Sequence, residues 1–346
     1  MKKKFVAAIA IVAALVIVLA AVRIALVQYQ SPAAASGNLA VMGTDPPRAA
    51  GGVSQANAHY SSVQAHKAGS DMSSGWTQVS GSGTLNLMAS GQAQVMAASQ
   101  VDAAAYDAFK FNVDSVNVVY QGQSYTATIA SSTITATSQN QVHVNSSSSA
   151  TALVDVRTFI QNSGTSSSPQ FVFSATAFAT EGPSQASASL SLQVGTSVDL
   201  TGQAWFSTFE AQTSTNVNVV SATLSSGSLT LNLQNSGGAS GQVQEIIITP
   251  VSASTSLSAY LPDSYSGSAV FAVSGSGSMQ QTSSLQASTL SSAGAVIASG
   301  STDTLNYNGN IAMDGSVQSS GVVSGQQYII TCIGANTYAS TTVVAS

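Results

Sequence analysis

The chain has 346 residues, of which 44% are hydrophobic, so it can build one or two domains with buried cores. Only 6% of the residues are charged, against about 25% in an ordinary soluble domain. The formal net charge is −5, and the last basic residue is Arg157. This composition argues against nucleic-acid binding, which requires Lys and Arg gathered on one face. It also argues against a cytoplasmic protein, which usually stays soluble through many mixed surface charges.

An apolar run occupies residues 5–27, after lysines at positions 2–4 and with Arg23 as its one interruption. As a helix of about 1.5 Å per residue it spans roughly 34 Å, enough for a bilayer core of about 30 Å. Cleavable signal peptides have a shorter apolar core of about 7–15 residues, so the run favours a retained signal-anchor transmembrane helix over residues 1–27. The lysines place the N-terminus in the cytoplasm and the bulk of the chain outside, with membrane lipid as the partner of residues 5–27.

Two alternatives stay open for this segment. A small-residue stretch around Ala35 could be a cleavage site, which would release a secreted protein. A cut near Lys4 would instead produce a pilin-type subunit whose apolar helix packs inside a filament. The residue after Lys4 is Phe5 rather than the usual small residue, which disfavours this second alternative.

Residues 28–75 are predicted to form a linker that contains one short helix. The first part of the segment is rich in Pro, Gly and Ala, which is typical of a flexible connection. Farther on, Ala56, Tyr60 and Val63 follow a helical spacing, which predicts a helix over residues 53–69.

From Trp76 onward, apolar and polar residues alternate with a period of two, as in FKFNV, QFVFSATAF, SLTLNLQ and QQYIITCI. The alternation predicts antiparallel sheets with one packed face, except at SQVDAAAYDAF (residues 99–109), which predicts a short helix. The stretch TEGPSQAS at 180–187 suggests a boundary between domains at 76–180 and 186–346. The chain is thus predicted to be all-β, with two antiparallel, immunoglobulin-like β-sandwich domains after the N-terminal helix.

Two features are predicted within these strands. Asn308 and Gly309 tolerate the positive φ angles of a two-residue turn, which predicts a hairpin between strands on either side. Cys332 is the one cysteine, so no intrachain disulfide can form, and its apolar neighbours predict a core position in a strand.

The segments SGSLTLNLQNSGGASGQVQEIIITP and GVVSGQQYIITCIGANTYASTTVVAS resemble the C-terminal β-sandwiches of archaeal pilins, archaellins and related cell-surface proteins. In that family a strand ending in Asn-x-Gly leads to an Ile-rich strand, and here Asn235 and Gly237 match. A Gly-x-x-Tyr strand then precedes the last strand, and here Gly325 and Tyr328 match. The resemblance covers about 220–346 and implies a surface location without catalytic residues.

No catalytic residue, cofactor or metal site is predicted. His59 and His66 are seven residues apart and could share one face of the predicted helix, but no cysteine or acidic cluster completes a metal site. Asp102 and Asp107 could flank a substrate as a carboxylate pair, although two solvent-facing carboxylates explain them better. Asn145 begins the sequence Asn-Ser-Ser, an N-glycosylation sequon in a serine-rich turn.

One further segment offers oxygen ligands. Asp303, Asn306 and Asn308 could approach Ca²⁺, but they supply one carboxylate and do not match the spacing of a known calcium loop, so a plain hairpin explains them better.

Three hypotheses for the function follow. The favoured one is a membrane-anchored extracellular structural or adhesive surface protein without catalysis, whose partners are lipid and, through self-assembly, other copies or surface-layer proteins. The second is a pilin-like filament subunit that packs through its apolar N-terminal helix. The third is a secreted carbohydrate-binding module or enzyme, for which Trp76, Trp205 and Tyr260 would offer stacking faces.

Overall fold

The computed structural model describes residues 35–45, 49, 52–89, 91–164, 167–182, 193–251, 267–283, 287–290, 292–313, 321–334 and 337–346. These residues form mostly β-strands, so the prediction of an all-β protein is confirmed. Within the described ranges, no helix combines the length and the apolar character that crossing a bilayer requires. The predicted anchor at residues 5–27 lies outside those ranges.

The strands fall into one large sheet and three smaller ones. The large sheet contains β1 (Ser36–Thr44), β2 (Val53–Lys67), β3 (Trp76–Gln78), β4 (Gly83–Asn86), β5 (Gln92–Asp102), β6 (Ala105–Tyr120), β7 (Gln123–Thr126), β8 (Thr128–Ile129), β9 (Thr133–His143), β10 (Ser149–Asn162), β11 (Phe171–Glu181) and β12 (Ser197–Asp199). The smaller sheets contain β13 (Val217–Ser225), β14 (Ser228–Asn235), β15 (Gly241–Val243), β16 (Glu245–Pro250), β17 (Ala269–Val273), β18 (Met279–Thr282), β19 (Ala295–Ile297), β20 (Thr302–Asn308), β21 (Gln327–Gly334) and β22 (Thr337–Val344). The described residues also include helices α1 (Ala204–Thr213) and α2 (Ala287–Leu290).

The large sheet has the strand order β12-β5-β1-β10-β11-β9-β6-β2-β3. Strand β1 lies inside this order, antiparallel to β5 and parallel to β10. Its side chains are buried on both faces, and Leu39, Ala40, Val41 and Met42 are completely inaccessible. The first described strand of the chain is therefore an interior strand of its sheet.

The large sheet rolls around a single core. One cluster of buried side chains includes residues from β1, β2, β6, β10 and β11. The segment between β3 and β4 joins the two ends of the strand order, because Val79 N–H donates to Val63 O on one side and Ala98 N–H donates to Ser80 O on the other. Aromatic side chains such as Tyr60 fill the middle of this core.

The opposite face of β1, β5 and β10 is covered by α1. Phe206 and Phe209 on the helix pack with Met42 and Leu153 in a second apolar cluster. The helix has no side-chain cap and little apolar asymmetry of its own, so this packing is what stabilises it.

The C-terminal part contains a three-stranded sheet, β13-β14-β20, and a five-stranded sheet, β18-β17-β16-β21-β22, which share one core. Every strand pairing within them is antiparallel. Cys332 is fully buried in β21, as predicted, and burial raises the pKa of its thiol to about 12. The two sheets meet where Ser346 N–H donates to Leu224 O.

The other face of the five-stranded sheet packs against the large sheet. Phe159 and Val172, on β10 and β11, form one apolar cluster with Ile247, Val270 and Ile333. All five side chains are at least 96% inaccessible, so a buried apolar cluster joins the two parts of the chain.

This contact gives a first prediction. If a protease site is inserted between residues 183 and 192, cleavage is expected to leave two fragments that stay associated, because separation would expose the Phe159 and Ile247 side chains at about 1.5–3 kcal/mol each. Size-exclusion chromatography of the cleaved protein measures this association. Two separate folded peaks under native conditions would contradict it.

Several sequence-based expectations are corrected. Residues 36–44 of the predicted linker form β1, and the predicted helix over 53–69 is the long strand β2. The stretch 99–109, predicted to be helical, is the end of β5, a two-residue turn and the start of β6. The expectation of purely antiparallel sheets fails in the large sheet, where β1 with β10, β8 with β11 and β9 with β11 are parallel.

Three more corrections concern the second half. The segment containing Trp205 was expected to be a strand but forms α1. The predicted hairpin at Asn308–Gly309 is not formed: after β20, Gly309 N–H and Ile311 N–H donate to Gly227 O and Ser226 O, so the chain follows the β13–β14 turn instead of folding back onto β20. Strand β12, placed by sequence in the second domain, pairs with β5 of the large sheet.

Candidate functional site

Three residues singled out for different reasons meet at one end of the large sheet. His66 on β2 is the direct cross-strand neighbour of Trp76 on β3, and Asp107 lies on the adjacent β6. Lys110, also on β6, lies over the Trp76 ring. We call these four residues the His66 cluster.

His66 is 99% inaccessible, and both of its ring nitrogens have partners. Nδ1 lies 2.6 Å from a carboxylate oxygen of Asp107, and Nε2 lies 3.1 Å from the backbone carbonyl oxygen of Asp71. Both partners are acceptors, so the two contacts together require an imidazolium that donates from both nitrogens. Burial lowers the pKa of His66, but the Asp107 and Asp71 hydrogen bonds and the Asp107 charge outweigh burial and raise it above the ordinary value.

Trp76 is held on three sides. Its ring centroid is 4.9 Å from that of His66, and Lys110 Nζ is 3.9 Å from the same centroid. Its indole N–H donates to Met72 O at 2.9 Å. Lys110 therefore occupies the position over the ring that a stacked sugar would need, which argues against Trp76 as a carbohydrate platform.

The cluster holds the loop 68–75 against the sheet. The Asp71 carbonyl accepts from His66, and the Asp71 carboxylate accepts from the Ser73 backbone N–H and hydroxyl, hydrogen bonds that lower the pKa of Asp71. A general base needs a free ring nitrogen near a proton to be abstracted, and His66 has none. The geometry is that of a structural clamp.

The clamp predicts a pH dependence. A raised histidine pKa stabilises the folded state fully below the unfolded value of about 6.5, and that stabilisation is lost as pH rises through the higher folded value. The melting temperature of the wild type is therefore expected to fall between about pH 6 and pH 8. His66→Gln should be less stable than the wild type at pH 6 by roughly 1.5–3 kcal/mol, the contribution of a charge-assisted hydrogen bond. Its melting temperature should also change less between about pH 6 and pH 8.

The matched control is His143→Gln, because His143 is exposed and lies 3.6 Å from the Glu181 carboxylate. Thermal unfolding of the three proteins across this pH range makes the comparison. Equal slopes for the wild type and His66→Gln would contradict the clamp.

A second polar group lies between the large sheet and α1. Arg157 and Asp155 project from the same face of β10, with an Arg157 nitrogen 2.8 Å from an Asp155 carboxylate oxygen. The Thr213 hydroxyl at the end of α1 donates to the same carboxylate at 3.1 Å, and Arg157 donates to that hydroxyl at 2.9 Å. Burial raises the pKa of Asp155, and the Arg157 charge partly offsets this rise. The group fixes the helix to the sheet.

A second buried carboxylate, that of Asp45, lies on the core side of β10. Asp45 is 99% inaccessible and accepts hydrogen bonds from the Thr158 backbone N–H at 3.3 Å and hydroxyl at 2.5 Å. Burial raises the pKa of Asp45 well above its ordinary value, although the Thr158 bonds act in the other direction. The pair joins the end of β1 to β10.

Polar atoms without a described hydrogen-bond partner continue along the outer face of β10 and β11. They are Asp155 Oδ1, both polar atoms of Gln161, Ser174 Oγ and Thr176 Oγ1. Arg157 pairs with Thr176 and Phe159 with Ser174, so these atoms lie in the layer where α1 and the five-stranded sheet cover the large sheet. This layer therefore contains polar as well as apolar contacts.

Beside the loop at Gly275–Ser278, the C-terminal sheets carry an open cleft of about 320 Å³. Its lining is mainly neutral and polar, and residues Ser276, Asp303 and Asn306 contribute to it. Asp303 and Asn306 point to opposite faces of β20, since they differ by an odd number of residues. They do not converge, and no group of three or more His, Cys, Asp or Glu in the described ranges is placed to hold a metal ion.

The other sequence-predicted residues are dispersed. His59 is exposed on β2, 2.9 Å from the Thr84 hydroxyl, and is separated from His66 by strand bulges. Asp102 at the end of β5 lies 3.8 Å from Lys67. Trp205 packs beside Phe206 on α1, and Tyr260 lies outside the described residues. Asp102 and Asp107 thus pair with different residues, Lys67 and His66, and His59 lies apart from His66.

Asn145 lies in the turn between β9 and β10. Asn145, Ser146 and Ser147 are all exposed. The turn is closed by two bonds to the Asn145 carbonyl oxygen, from the Ser148 N–H at 3.2 Å and the Ser148 hydroxyl at 2.8 Å. The Asn145 side chain takes no part in these two bonds.

A scan against protein-family models finds no match for this chain, and neither does a search of curated proteins.

Proposed function

We propose that this chain is a membrane-anchored extracellular surface protein with a structural or adhesive role and without catalysis. The observation that carries the proposal is the position of β1. It begins at Ser36, soon after the apolar run ends at Val27, and it lies between β5 and β10 inside the large sheet. An anchor at residues 5–27 would therefore be connected directly to the interior of the folded part.

The chemistry of the described residues supports the same function. Both ring nitrogens of the buried His66 and the carboxylate of Asp155 are used in holding elements together. The cleft beside Gly275–Ser278 has a mainly polar lining with a single carboxylate, that of Asp303. These arrangements suit a durable scaffold with a neutral polar surface better than an acid–base site.

The resemblance of residues 220–346 to archaeal pilins and archaellins supports a cell-surface location. In this proposal the three-stranded and five-stranded sheets are the sandwich that the resemblance implies, and the part outside the membrane presents it to the surroundings. Other copies of the chain or surface-layer proteins would be its partners.

Two measurements on native cells test the proposal. We expect the protein in the membrane fraction, with its C-terminal part digested by protease added to intact cells. Mass spectrometry of the native N-terminus is expected to start at Met1 or within the lysines without loss of the apolar run. A start at Phe5 with the protein in fibres would favour the filament subunit. A start near Ser36 would favour a secreted protein. A cytoplasmic location would refute the surface protein, the filament subunit and the secreted protein alike.

A further inference from the structure

The turn that carries Asn145 is bonded to the point where the chain leaves the large sheet. Ser147 N–H donates to Ser36 O at 2.8 Å, and Asn38 N–H donates to Ser148 O at 2.8 Å. Gly37 lies so close that a Cβ there would overlap the Asn145 carbonyl oxygen. The turn with the sequon and the start of β1 at residues 36–38 are thus in direct contact. We call the start of β1 the exit of the chain, because the chain leaves the sheet there towards residue 34.

This unit lies at a defined distance from the apolar run. Ala35 lies eight positions after Val27, and eight extended residues span at most roughly 28 Å. The opposite end of the sheet, at the β6–β7 turn, lies farther away, because a 16-residue strand is roughly 50 Å long. If the apolar run is in the membrane, the Asn145 turn is at the membrane-facing base.

The geometry suits modification. Asn145 is exposed, it starts the one Asn-x-Ser/Thr sequence in the chain, and its side chain makes no hydrogen bond with the described residues. Ser147, the third residue of the sequon, has a φ of 57° and is also exposed, so its hydroxyl is accessible together with the amide. Neither side chain is committed to the fold.

We propose that Asn145 carries an N-linked oligosaccharide, which lies at the base of the protein beside the exit of the chain. The inference rests on the proposed extracellular location. The donor is a lipid-linked sugar phosphate, used by a membrane transferase. The Asn145 amide nitrogen forms a bond to the anomeric carbon, the carbon–oxygen bond to phosphate breaks, the lipid phosphate leaves with the electron pair, and the nitrogen releases one proton. The bulky, hydrated glycan shields the segment between membrane and sheet.

The modification is tested on the full chain from membranes of its native cells. Trypsin cleavage after Lys110 and Arg157 releases peptide 111–157, which contains the sequon. We expect a glycan mass on this peptide from the wild type and from Ser146→Ala, which keeps the sequon. Asn145→Gln and Ser147→Ala, which destroy it, should yield the bare peptide.

The result separates this inference from the proposed function. An unmodified wild-type peptide from a chain that intact-cell protease can reach would overturn the glycan and leave the surface location standing. A chain found in the cytoplasm would overturn both. Glycan loss in Ser146→Ala would also count against the site, since that variant retains both residues the transferase requires.

The basal position has its own test in membrane vesicles. Ser146→Cys and Ser124→Cys place a fluorophore in the Asn145 turn and on β7 at the opposite end, and Ser146→Cys keeps the sequon. Cys332 does not compete for the label because it is fully buried. A quencher on lipid headgroups is expected to quench position 146 several-fold more than position 124. Equal or reversed quenching would overturn the basal position.

Discussion

A chain that begins at residue 46 is expected to lose its cooperative unfolding transition, whereas a chain that begins at Ala35 is expected to keep it. The shorter chain lacks strand β1 and Asp45, which the longer chain keeps. Leu39, Val41 and Met42 are completely buried, and each contributes roughly 1.5–3 kcal/mol. Their loss, together with the ladders to β5 and β10, approaches the whole stability of a typical domain, about 5–15 kcal/mol.

Near-ultraviolet circular dichroism during heating measures this effect, because it reports packed aromatic side chains. A matched pair of point variants isolates burial from chain length: Leu39→Asp should abolish the transition, while Asn38→Asp, at the exposed neighbouring position, should retain it. A cooperative transition in the chain starting at residue 46, near the wild-type temperature, would show that β1 is dispensable.

Arg157→Met is expected to destabilise the protein by about 3–5 kcal/mol, because it leaves the Asp155 carboxylate buried without its countercharge. Lys67→Met removes an exposed partner of Asp102 at 3.8 Å and should cost less than about 1 kcal/mol. The contrast tests burial, since both variants replace a cation by methionine in an ion pair on the large sheet.

Urea denaturation followed by tryptophan fluorescence provides the measurement, because Trp205 lies on the helix that Arg157 holds. The double variant Asp155→Leu with Arg157→Met removes both charges and should recover most of the loss. If Arg157→Met and Lys67→Met shift the midpoint equally, the buried pair does not fix α1 to the sheet.

The sequence predicts the C-terminal strands well because their period of two is unbroken. In β14, for example, Leu229, Leu231 and Leu233 all face the core. Strand β2 was misread for a physical reason: its register shifts between Ser61 and Gln64, where Ser62 has a φ of 55°. The buried positions move from even numbers to odd numbers there, and the result imitates the spacing of a helix.

Other errors came from composition. The short run around Leu39 is apolar on both faces, as an interior strand must be, but its Pro- and Gly-rich surroundings indicated a linker. The alanines at 103–105 favour a helix in isolation, and pairing between β5, β6 and their neighbours overrides that preference.

Only part of the candidate site could be predicted from the sequence. His66, Trp76 and Asp107 were each noticed, but their convergence depends on strand pairings across dozens of residues that no local pattern specifies. The pair of Asp155 and Arg157 did carry a signal, because residues two apart on a strand share a face. Oppositely charged residues at that spacing inside an apolar strand indicate a buried ion pair.

The placement of β1 determines how the protein would bear mechanical load. A pull applied through Ala35 acts along the axis of β1, which is hydrogen-bonded on both edges from Ser36 to Thr44. Those bonds lie across the direction of pull, so they are loaded in shear and must yield together rather than being unzipped one at a time. A surface protein pulled by flow or by a bound partner would transmit the force into the middle of its largest sheet. The hydrogen bond between Thr158 and Asp45 would resist displacement at the far end of the strand.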